Sequence, residues 1–511
     1  MTGFCQRAAL AAVMALSASG LSHAERINQE GRILGPAPLV TNAILFDTSE
    51  ADAVVSALQI FPVTNPFNED ISGLPRLGNS DAIMAQVISD LPSNRRTLRL
   101  FQEMNFVLTP DSQPLLQIDF TDYPDESDLH GGSFPYGLYP IPSNLPIEGW
   151  PTQTDSETLA EAQTDAAQLG GDRHAIMVQP GAGRSFETWH TLLAGGNWQA
   201  ANGAIFDLNT NALRPDGWTS GDAAGLPMFP ALIRFDECER SMVEHACRIV
   251  VKRSLYNSYI YPATHYASTN TLPNLPSMGQ RLRLKAGFAI PANWTREEKA
   301  VLLGLKKYGG FVADNGGFFS ISITPDDRWP DGAFDDIATV GLTNFEVVQS
   351  TGPNEGPRSP GAPAVSAGPD QTVSLSQIIA LAGSVTSSNS APLVQWKMYS
   401  GPGVATFAHA FQPNTTATFS APGIYTLELS AADGVHAVAY DAVIINVTDP
   451  ISLNAAAFGA NVQLTWLGGS PPFIVDQTPA SASGWTPAVT TSVRILVVPA
   501  TNAAAFFRVR N

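Results

Sequence analysis

Carboxylates beside turns are the residues of this sequence best suited to carry out chemistry. Asp222 lies in a Gly-Asp-Ala-Ala-Gly loop, Asp236 and Glu237 follow the strand-like run 232–235, and Asp314 precedes an Asn-Gly-Gly turn. Two carboxyl groups on either side of a bond are the minimum for acid–base cleavage of a glycoside. We therefore predict Asp222, Asp236 and Asp314 as catalytic acid, base or positioning groups. The alternative is that an Asp beside Gly only caps a turn.

A histidine and an arginine extend this set. His265 lies in a Tyr-Pro-Ala-Thr-His-Tyr segment, and with Arg234 and Tyr266 it offers the groups needed to abstract a proton beside a uronic carboxylate. Exposed rings stack on the apolar faces of sugars, so we predict that Trp218, Arg234, Glu237 and Tyr266 bind substrate. We predict His265 as a further catalytic residue, and the set leaves hydrolysis and elimination open. A structural histidine and rings packed in the core are the alternatives.

Motifs for metals, nucleotides and activated serines are weak. No His-x-x-x-His, His-Glu-x-x-His or Gly-x-Ser-x-Gly spacing occurs. One acidic run could hold calcium through oxygen ligands, but its spacing departs from an EF-hand loop and favours a solvated acidic loop. We predict no cofactor and no metal site, with calcium as the alternative. The acidic run consists of Asp119, Asp122, Asp125, Glu126 and Asp128.

Strands with a few helices must position these residues, because alternating or β-branched runs recur through residues 25–349. We predict a mainly β, sandwich- or jelly-roll-like domain of layered antiparallel sheets, with helices at 156–169 and 295–308. The run 280–290 predicts a half-exposed strand with Arg281, Arg283 and Lys285 on its solvent face. The other predicted strands are 115–120, 174–178, 204–208, 231–235 and 248–252.

Two cysteines lie on either side of a polar turn within the same domain. Cys238 and Cys247 are nine residues apart, and on the two strands of a hairpin they would face each other. In an oxidising compartment such an even pair predicts a disulfide, with two buried free thiols as the alternative.

The charge of the chain argues against nucleic acid as a partner. Its 511 residues include 46 acidic and 28 basic side chains, a net charge of −18, with no basic run, whereas phosphate binding needs clustered Lys and Arg. Arg7, the apolar stretch 8–18 and the small residues before Glu25 predict a Sec-type signal peptide at 1–24. No later segment is long and apolar enough for a membrane span. We therefore expect a secreted or cell-surface protein.

Composition changes at 350–364, where clustered Pro and Gly predict an extended linker. Evenly spaced strand-like runs follow at 365–449, as is typical of a β-sandwich. This module carries Ala-Gly-Pro-Asp-Gln-Thr-Val from Ala367, Gln395-Trp396, Ser-Gly-Pro-Gly from Ser400, Phe-Ser-Ala-Pro-Gly-Ile-Tyr from Phe419 and a final Ala-Asp-Gly. By these motifs it resembles a polycystic-kidney-disease (PKD) type domain. The resemblance implies an immunoglobulin-like spacer or binding accessory of bacterial surface and polymer-degrading proteins, without catalysis.

Two further regions complete the chain. Residues 450–511 predict a second small β-sandwich module, which resembles the fibronectin type III-like tails of exported bacterial enzymes. Residues of about 174–348 resemble a group of exported bacterial proteins, a resemblance carried by Ala-Leu-Arg-Pro-Asp-Gly-Trp-Thr-Ser-Gly-Asp from Ala212 and Tyr-Pro-Ala-Thr-His-Tyr-Ala-Ser from Tyr261. That resemblance supports one large domain and implies no mechanism.

These observations predict an exported protein that acts on extracellular polysaccharide, namely a hydrolase or lyase with accessory modules. The alternative is a non-catalytic cell-surface protein that binds glycans or mediates adhesion, with the C-terminal modules associated with the surface.

Overall fold

A computed structural model describes residues 26–153, 157–165, 167, 171–388, 391–479, 484–500 and 505–510. The predicted signal peptide at 1–24 lies outside the described residues, as do parts of the predicted helix 156–169. In the described part of the chain, no helix is both long and apolar enough to cross a membrane.

Short strands make up most of the regular structure of the large domain. In chain order they are β1 (Arg26–Ile27), β2 (Ile33–Leu34), β3 (Ile44–Leu45), β4 (Leu98–Gln102), β5 (Val107–Leu108), β6 (Leu116–Phe120), β7 (Tyr136–Tyr139), β8 (Ala175–Gln179), β9 (Arg184–Trp189), β10 (Leu192–Ala194), β11 (Asn197–Ala200), β12 (Asn202–Asp207), β13 (Cys247–Val251), β14 (Arg281–Leu284), β15 (Gly310–Asn315), β16 (Phe319–Ile323) and β17 (Phe345–Val347). The helices are α1 (Ser49–Ser56), α2 (Ser80–Ser89), α3 (Leu159–Thr164), α4 (Phe235–Glu239) and α5 (Arg296–Lys307).

Three sheets stack in this domain, with strand orders β10-β11-β6-β7, β12-β9-β8-β5-β3 and β17-β14-β15-β13-β16-β4. The five-stranded sheet is the middle layer, because successive residues of β8 face different cores. Ala175 and Met177 pack with the four-stranded sheet, whereas Ile176 and Val178 pack with the six-stranded sheet. A strand buried on both faces is apolar throughout, which explains the continuous apolar sequence of β8.

The sheets are mixed, whereas the sequence led us to expect antiparallel ones. The pairs β5–β8, β6–β11, β13–β15 and β4–β16 are parallel. Parallel neighbours need long crossover connections, and an alternating sequence pattern carries no information about such distant pairing.

The predicted solvent face of 280–290 is wrong, because Arg281 and Arg283 are buried in β14. Arg281 donates to the carbonyl oxygens of Tyr308, at 2.6 Å from Nη2, and of Pro66, at 2.7 Å from Nη1. Arg283 donates from Nε to a carboxylate oxygen of Glu346 at 2.8 Å. Burial lowers the pKa of Arg281 to about 10. Both guanidinium groups therefore pair with backbone and carboxylate oxygens inside the domain, away from water.

Helix α5 is confirmed, and it begins at a capping box. Thr295 Oγ1 accepts from the backbone N–H of Glu298 at 3.0 Å, and a Glu298 carboxylate oxygen accepts from the Thr295 N–H at 2.9 Å. This reciprocal pair satisfies two N–H groups that the first turn leaves without helical partners.

The predicted strand 231–235 and the predicted disulfide are both wrong. The backbone N–H of Arg234 donates to Glu237 Oε2 at 3.3 Å, which starts helix α4 where a strand was expected. Cys238 lies on this helix and Cys247 opens β13, so no hairpin brings them face to face. Both are buried free thiols.

Two small β-sandwiches follow the large domain. The strands of the first are β18 (Ala364–Ser366), β19 (Gln371–Ser374), β20 (Ile379–Ala382), β21 (Ser384–Thr386), β22 (Leu393–Ser400), β23 (Ala405–Phe407), β24 (Asn414–Phe419), β25 (Gly423–Ala432) and β26 (Ala439–Thr448). Sheets β19-β26-β25-β22 and β20-β24-β23 enclose its core. Within that core Trp396 is buried and donates from Nε1 to the carbonyl oxygen of Pro413 at 2.9 Å.

The last module has a smaller core. Its strands are β27 (Ser452–Phe458), β28 (Asn461–Leu467), β29 (Phe473–Pro479), β30 (Thr486–Thr491), β31 (Ile495–Pro499) and β32 (Ala505–Arg510). They form the sheets β27-β28-β31 and β30-β29-β32, which pack around Leu464, Trp466, Phe473 and Val475. The mainly β fold class with two small sandwich modules is confirmed.

The segment 350–364 contacts both of its neighbours. Arg358 binds the Glu69 carboxylate at 2.9 Å and the carbonyl oxygen of Thr64 at 2.9 Å, both in the large domain. Ser359 Oγ lies 3.0 Å from His436 Nε2 of the first module. The Pro- and Gly-rich segment therefore anchors the first module instead of leaving it loose.

Candidate active site

A tight loop, residues 221–225, fixes the position of His265 relative to Asp314. The backbone N–H of Ala224 donates to the carbonyl oxygen of Ala313 at 2.9 Å, which ties the loop to β15 next to Asp314. The carbonyl oxygen of Ala224 accepts from the N–H of His265 at 3.2 Å. Two of the predicted catalytic residues are thus held through one loop.

Asp314 and His265 line a cavity of about 120 Å³. Its wall also includes His174 and two aromatic rings, Tyr123 and Trp189, whose centroids are 6.2 Å apart at an interplanar angle of 38°. Rings of this kind can stack on the apolar face of a sugar.

Behind this cavity lies a buried group of charges, which we call the Arg248 cluster: Glu103, Asp222, Arg248, Asp314 and Ser322. Arg248 binds Asp222 through two atoms, Nη2 at 2.6 Å and Nε at 3.0 Å. Nη2 also lies 3.4 Å from Asp314 Oδ2, and Nη1 donates to Ser322 Oγ at 3.0 Å. Ser322 in turn donates to Glu103 at 2.8 Å. Three carboxyl groups therefore gather around a single guanidinium.

This excess of carboxyl groups raises two pKa values. Burial, followed by the charge of Asp222, raises the pKa of Asp314 to about 7. Burial and the charge of Glu148 raise the pKa of Glu103 to about 7. The side chain of Asp314 is 21% exposed, whereas Asp222 is fully buried. Asp314 is therefore the carboxyl group of this cluster that can exchange a proton with a ligand near neutral pH.

Asp222 has a different position from the one that a direct acid or base requires. Both of its oxygens bind Arg248, and none of its side chain is exposed. Its charge acts on Asp314 and holds Arg248 in place. The role of Asp222 as a proton donor stays a prediction, and its position fits that of a residue that tunes Asp314.

His174 forms a cationic part of the wall. Its Nδ1 lies 2.9 Å from Glu148 Oε2, and its Nε2 lies 2.9 Å from the carbonyl oxygen of Gly221. Burial alone would lower the pKa of His174, but the Glu148 carboxylate outweighs burial and raises that pKa to about 9. Both nitrogens of the imidazolium donate to oxygens of the protein, so His174 cannot serve as a base.

His265 has a nitrogen that can. Its Nδ1 lies 2.7 Å from the carbonyl oxygen of Ala223, and a carbonyl only accepts, so Nδ1 carries the hydrogen. The neutral ring then has its lone pair on Nε2, for which the described residues provide no hydrogen-bond partner. The Tyr266 ring stacks on His265 at 5.7 Å between centroids and 18° between planes, which helps to hold the imidazole.

The other predicted catalytic carboxylate lies in a second group of charges, which we call the α4 cluster: Arg234, Asp236, Glu237, Arg240 and His245. Glu237 binds Arg234 at 2.9 Å and His245 at 3.1 Å, while Asp236 binds Arg240 at 2.7 Å. Burial would raise the pKa of Glu237, but Arg234 and His245 outweigh burial and lower it to about 2.

The structure does not bring the α4 cluster to the cavity of Asp314. Arg234, Glu237 and His245 line a separate cavity of about 30 Å³, and the side chains of Arg234, Asp236 and Glu237 are almost completely buried. Asp236 as a catalytic residue, and Arg234 and Glu237 as substrate-binding residues, stay predictions with no support from this arrangement.

Trp218 and Tyr266 lie outside the cavity wall. The guanidinium carbon of Arg214 is 5.5 Å from the centroid of the Trp218 ring, and Arg214 binds Asp128 at 2.5 Å. Tyr266 packs edge-on against Tyr256 at 5.4 Å between centroids. Their predicted part in sugar binding would concern a chain that extends beyond the cavity.

The predicted acidic run is used by the protein itself. Asp128 binds Arg214, and Glu126 Oε2 accepts from the backbone N–H of Thr219 at 2.9 Å. Among the described residues, no group of three or more His, Cys, Asp or Glu side chains is arranged to hold a metal ion. The contacts of Asp128 and Glu126 position the segment that leads to the 221–225 loop.

Sequence reasoning missed Arg248, Glu103, Glu148 and Trp189. A signal existed for Arg248, because it lies within the otherwise apolar strand Cys-Arg-Ile-Val-Val. Arg is almost never fully buried unless it is paired, so an arginine in such a strand predicts a buried acidic partner. The carboxylates Glu103 and Glu148 carry no comparable local signal.

Comparison with known proteins identifies the first small module. Residues 367–447 match a family model described as a PKD domain, which confirms the PKD resemblance for this module. Domains of this type are typical of extracellular proteins. No curated protein matches the chain.

Solved structures are similar only over part of the chain. A three-domain fragment of titin is 13% identical, with 32% of this chain and 73% of that chain covered, at a TM-score of 0.18. The D00-D0 domain of intimin is 10% identical, with 27% and 84% covered, at a TM-score of 0.18. Immunoglobulin domains 1–4 of Sidekick-1 are 12% identical, with 39% and 53% covered, at a TM-score of 0.19. These scores are too low to carry over any function.

Proposed function

We propose that this protein is an exported enzyme that cleaves glycosidic bonds in an extracellular polysaccharide, with its active site in the cavity of Asp314. The observation that carries the proposal is the pairing of Asp314, whose pKa is about 7, with a histidine that presents a free Nε2 in the same cavity. An acid and a base with suitable pKa values at one site are what bond cleavage near neutral pH requires.

The surroundings of this pair support a sugar as the substrate. Tyr123 and Trp189 give the cavity wall two rings, and neutral hydroxyl-bearing residues, Thr219 and Ser220, complete it. The PKD-type module adds support for an extracellular protein, because such modules accompany polymer-degrading proteins. The predicted leader at 1–24 and the acidic composition agree with export.

Asp314 would donate a proton to the leaving oxygen, and His265 would remove one from the attacking group. Asp222 and Arg248 would act through Asp314 as positioning residues, since neither reaches the cavity surface. Asp236 has no part in this arrangement, which makes it a useful comparison.

The test is a cleavage assay on a panel of polysaccharides with the purified full chain. We expect release of new sugar ends by the wild-type protein and a loss of at least about 100-fold in Asp314→Asn and His265→Ala. Asp331→Asn, which removes an exposed carboxylate elsewhere in the domain, is the matched control and should retain full activity. Equal release by the wild type and Asp314→Asn would refute the assignment.

A non-catalytic glycan-binding protein is the second candidate. The ring pair of Tyr123 and Trp189 favours it, because stacking alone can retain a sugar without chemistry. Affinity electrophoresis in gels that contain each polysaccharide separates the two. Retardation that Trp189→Ala abolishes, without release of sugar ends by any variant, would establish binding in place of cleavage.

A further inference from the structure

We propose that the cavity of Asp314 accepts sugar units that carry no carboxylate or sulfate group, so that the reaction is hydrolysis and not the elimination of a uronic acid. This inference rests on the proposed function and adds the substrate class to it. It follows from which charges reach the cavity and which are already paired inside the protein.

The cavity presents carboxyl groups and no free cation. Asp172 and Asp314 both line it, and none of the described residues in its wall is a lysine or an arginine. A carboxylate or sulfate on the substrate would therefore meet charges of its own sign, which disfavours binding by an amount that grows as water is excluded.

The one cation in the described wall is unable to bind an anion. His174 donates from Nδ1 to Glu148 and from Nε2 to the carbonyl oxygen of Gly221, so neither N–H remains for a ligand. The carboxylate of Glu148 also balances its charge at 2.9 Å. The substrate side of His174 is the carbon edge of the ring.

The nearest arginine is occupied in the same way. Arg248 binds Asp222, Asp314 and Ser322, and only 4% of its side chain is exposed. A substrate carboxylate could reach Arg248 only past the Asp314 carboxyl group.

Elimination from a uronic acid needs a cation that stabilises the carboxylate while a base removes the neighbouring proton. Arg234 was the sequence candidate for that cation. Its Nη2 binds Glu237 at 2.9 Å and its Nη1 donates to the carbonyl oxygen of Leu232 at 3.1 Å, both within the α4 cluster. The cation that a lyase requires is therefore absent from the described wall of the cavity.

Hydrolysis needs only the groups that are present. Water adds across the bond between the anomeric carbon and the bridging oxygen. His265 Nε2 takes a proton from the water as its oxygen bonds to the anomeric carbon. Asp314 gives its proton to the bridging oxygen as that bond breaks. Solvent then moves one proton from His265 back to Asp314, which restores both groups.

The test compares polymers that differ in charge and share a backbone. Native uronic polysaccharides and their carboxyl-reduced forms are assayed side by side, with neutral glucans, mannans, xylans and chitosan in the same panel. We expect the wild-type protein to cleave an uncharged or amino-sugar polymer at least about 10-fold faster than any uronic polymer, since one unfavourable charge contact of about 1.4 kcal/mol gives that ratio. We also expect products without a new double bond.

Three outcomes are distinct. Cleavage that is confined to polymers without carboxylates supports the inference. Cleavage of a native uronic polymer at an equal or higher rate, lost in Asp314→Asn, would overturn the inference and leave the proposed enzyme intact. If no polymer in the panel is cleaved or bound, the proposed function fails, and this inference fails with it.

Discussion

The Arg248 cluster and the α4 cluster are both buried groups of charges, yet they differ in how acids and cations are balanced. In the Arg248 cluster, three carboxyl groups share one guanidinium. In the α4 cluster, two carboxylates face two arginines and a histidine. The first arrangement raises the pKa of Asp314 to about 7, and the second lowers that of Glu237 to about 2.

This difference separates a candidate site from a structural ion network. A carboxylate with a pKa of about 2 stays ionised at neutral pH and only holds its partners. A carboxyl group with a pKa of about 7 that is also partly exposed can exchange a proton with a substrate. Four measurements could break or sharpen this contrast.

The largest effect is expected from removal of the shared cation. Arg248→Met leaves Asp222 buried without its partner, and we expect a loss of about 3–5 kcal/mol in the free energy of unfolding at neutral pH. In the matched variant Arg240→Met, Asp236 keeps Arg234 at 3.5 Å, so the loss should be clearly smaller. Urea unfolding followed by tryptophan fluorescence measures both, and equal losses would contradict the contrast.

The pH dependence of stability comes next. The folded protein raises the pKa values of Asp314, Glu103 and Glu187 to about 7 and that of His174 to about 9. Burial is the largest cause for the three carboxyl groups, and the Glu148 carboxylate is the cause for His174. The folded state therefore keeps protons that the unfolded chain has already lost, and stability falls as the pH rises.

We expect the free energy of unfolding to drop by at least about 2 kcal/mol from about pH 5 to about pH 9. The low pKa of Glu237 acts only at more acidic pH, through loss of stability as the pH falls towards 2. Urea titrations across this range provide the measurement, and Asp314→Asn should flatten the slope below neutral pH. A stability that rises with pH in this range would show that the carboxyl groups of the Arg248 cluster are fully ionised.

A smaller effect concerns the pH profile of the proposed activity. Asp222→Asn removes the charge that helps to raise the pKa of Asp314 and frees Arg248 to pair with Asp314. We expect the basic limb of the kcat/KM profile to move to lower pH by about one unit. Asp236→Asn, in the α4 cluster, should leave the limb in place. A limb that stays unchanged in Asp222→Asn would exclude Asp314 as the group that it reports.

The smallest effect concerns the thiols beside the α4 cluster. Burial, with nearby carboxylates such as Glu237, raises the pKa of Cys238, and burial raises that of Cys247 to about 12. Because the thiolate is the reactive form, both cysteines should resist a thiol reagent in the folded protein and react after unfolding. Rapid labelling of the native protein would show that the α4 cluster is open to solvent. Intact mass after complete alkylation in denaturant distinguishes free thiols from a disulfide.

Local patterns identified several features correctly and failed at others for one physical reason. The Gly-rich loop around Asp222, the segment of His265 and the turn after Asp314 were recognised, and they do meet at one place. The same reasoning added Asp236 to that place, because a sequence does not report which face of the domain a turn occupies. It also assigned Arg281 to solvent, because alternation along one strand does not show what covers the strand.

The sequence by itself determined the mainly β class, the PKD-type module, the capped helix α5 and the residue types available for chemistry. These depend on short-range periodicity, capping and turn residues. Only the tertiary structure decided which charges share a site, since Ser322 and Glu103 meet across 219 residues of sequence and Arg248 reaches Asp222 across 26. The pKa of a carboxyl group depends on burial and on neighbours from distant segments, so the acid at Asp314 exists only in the folded protein.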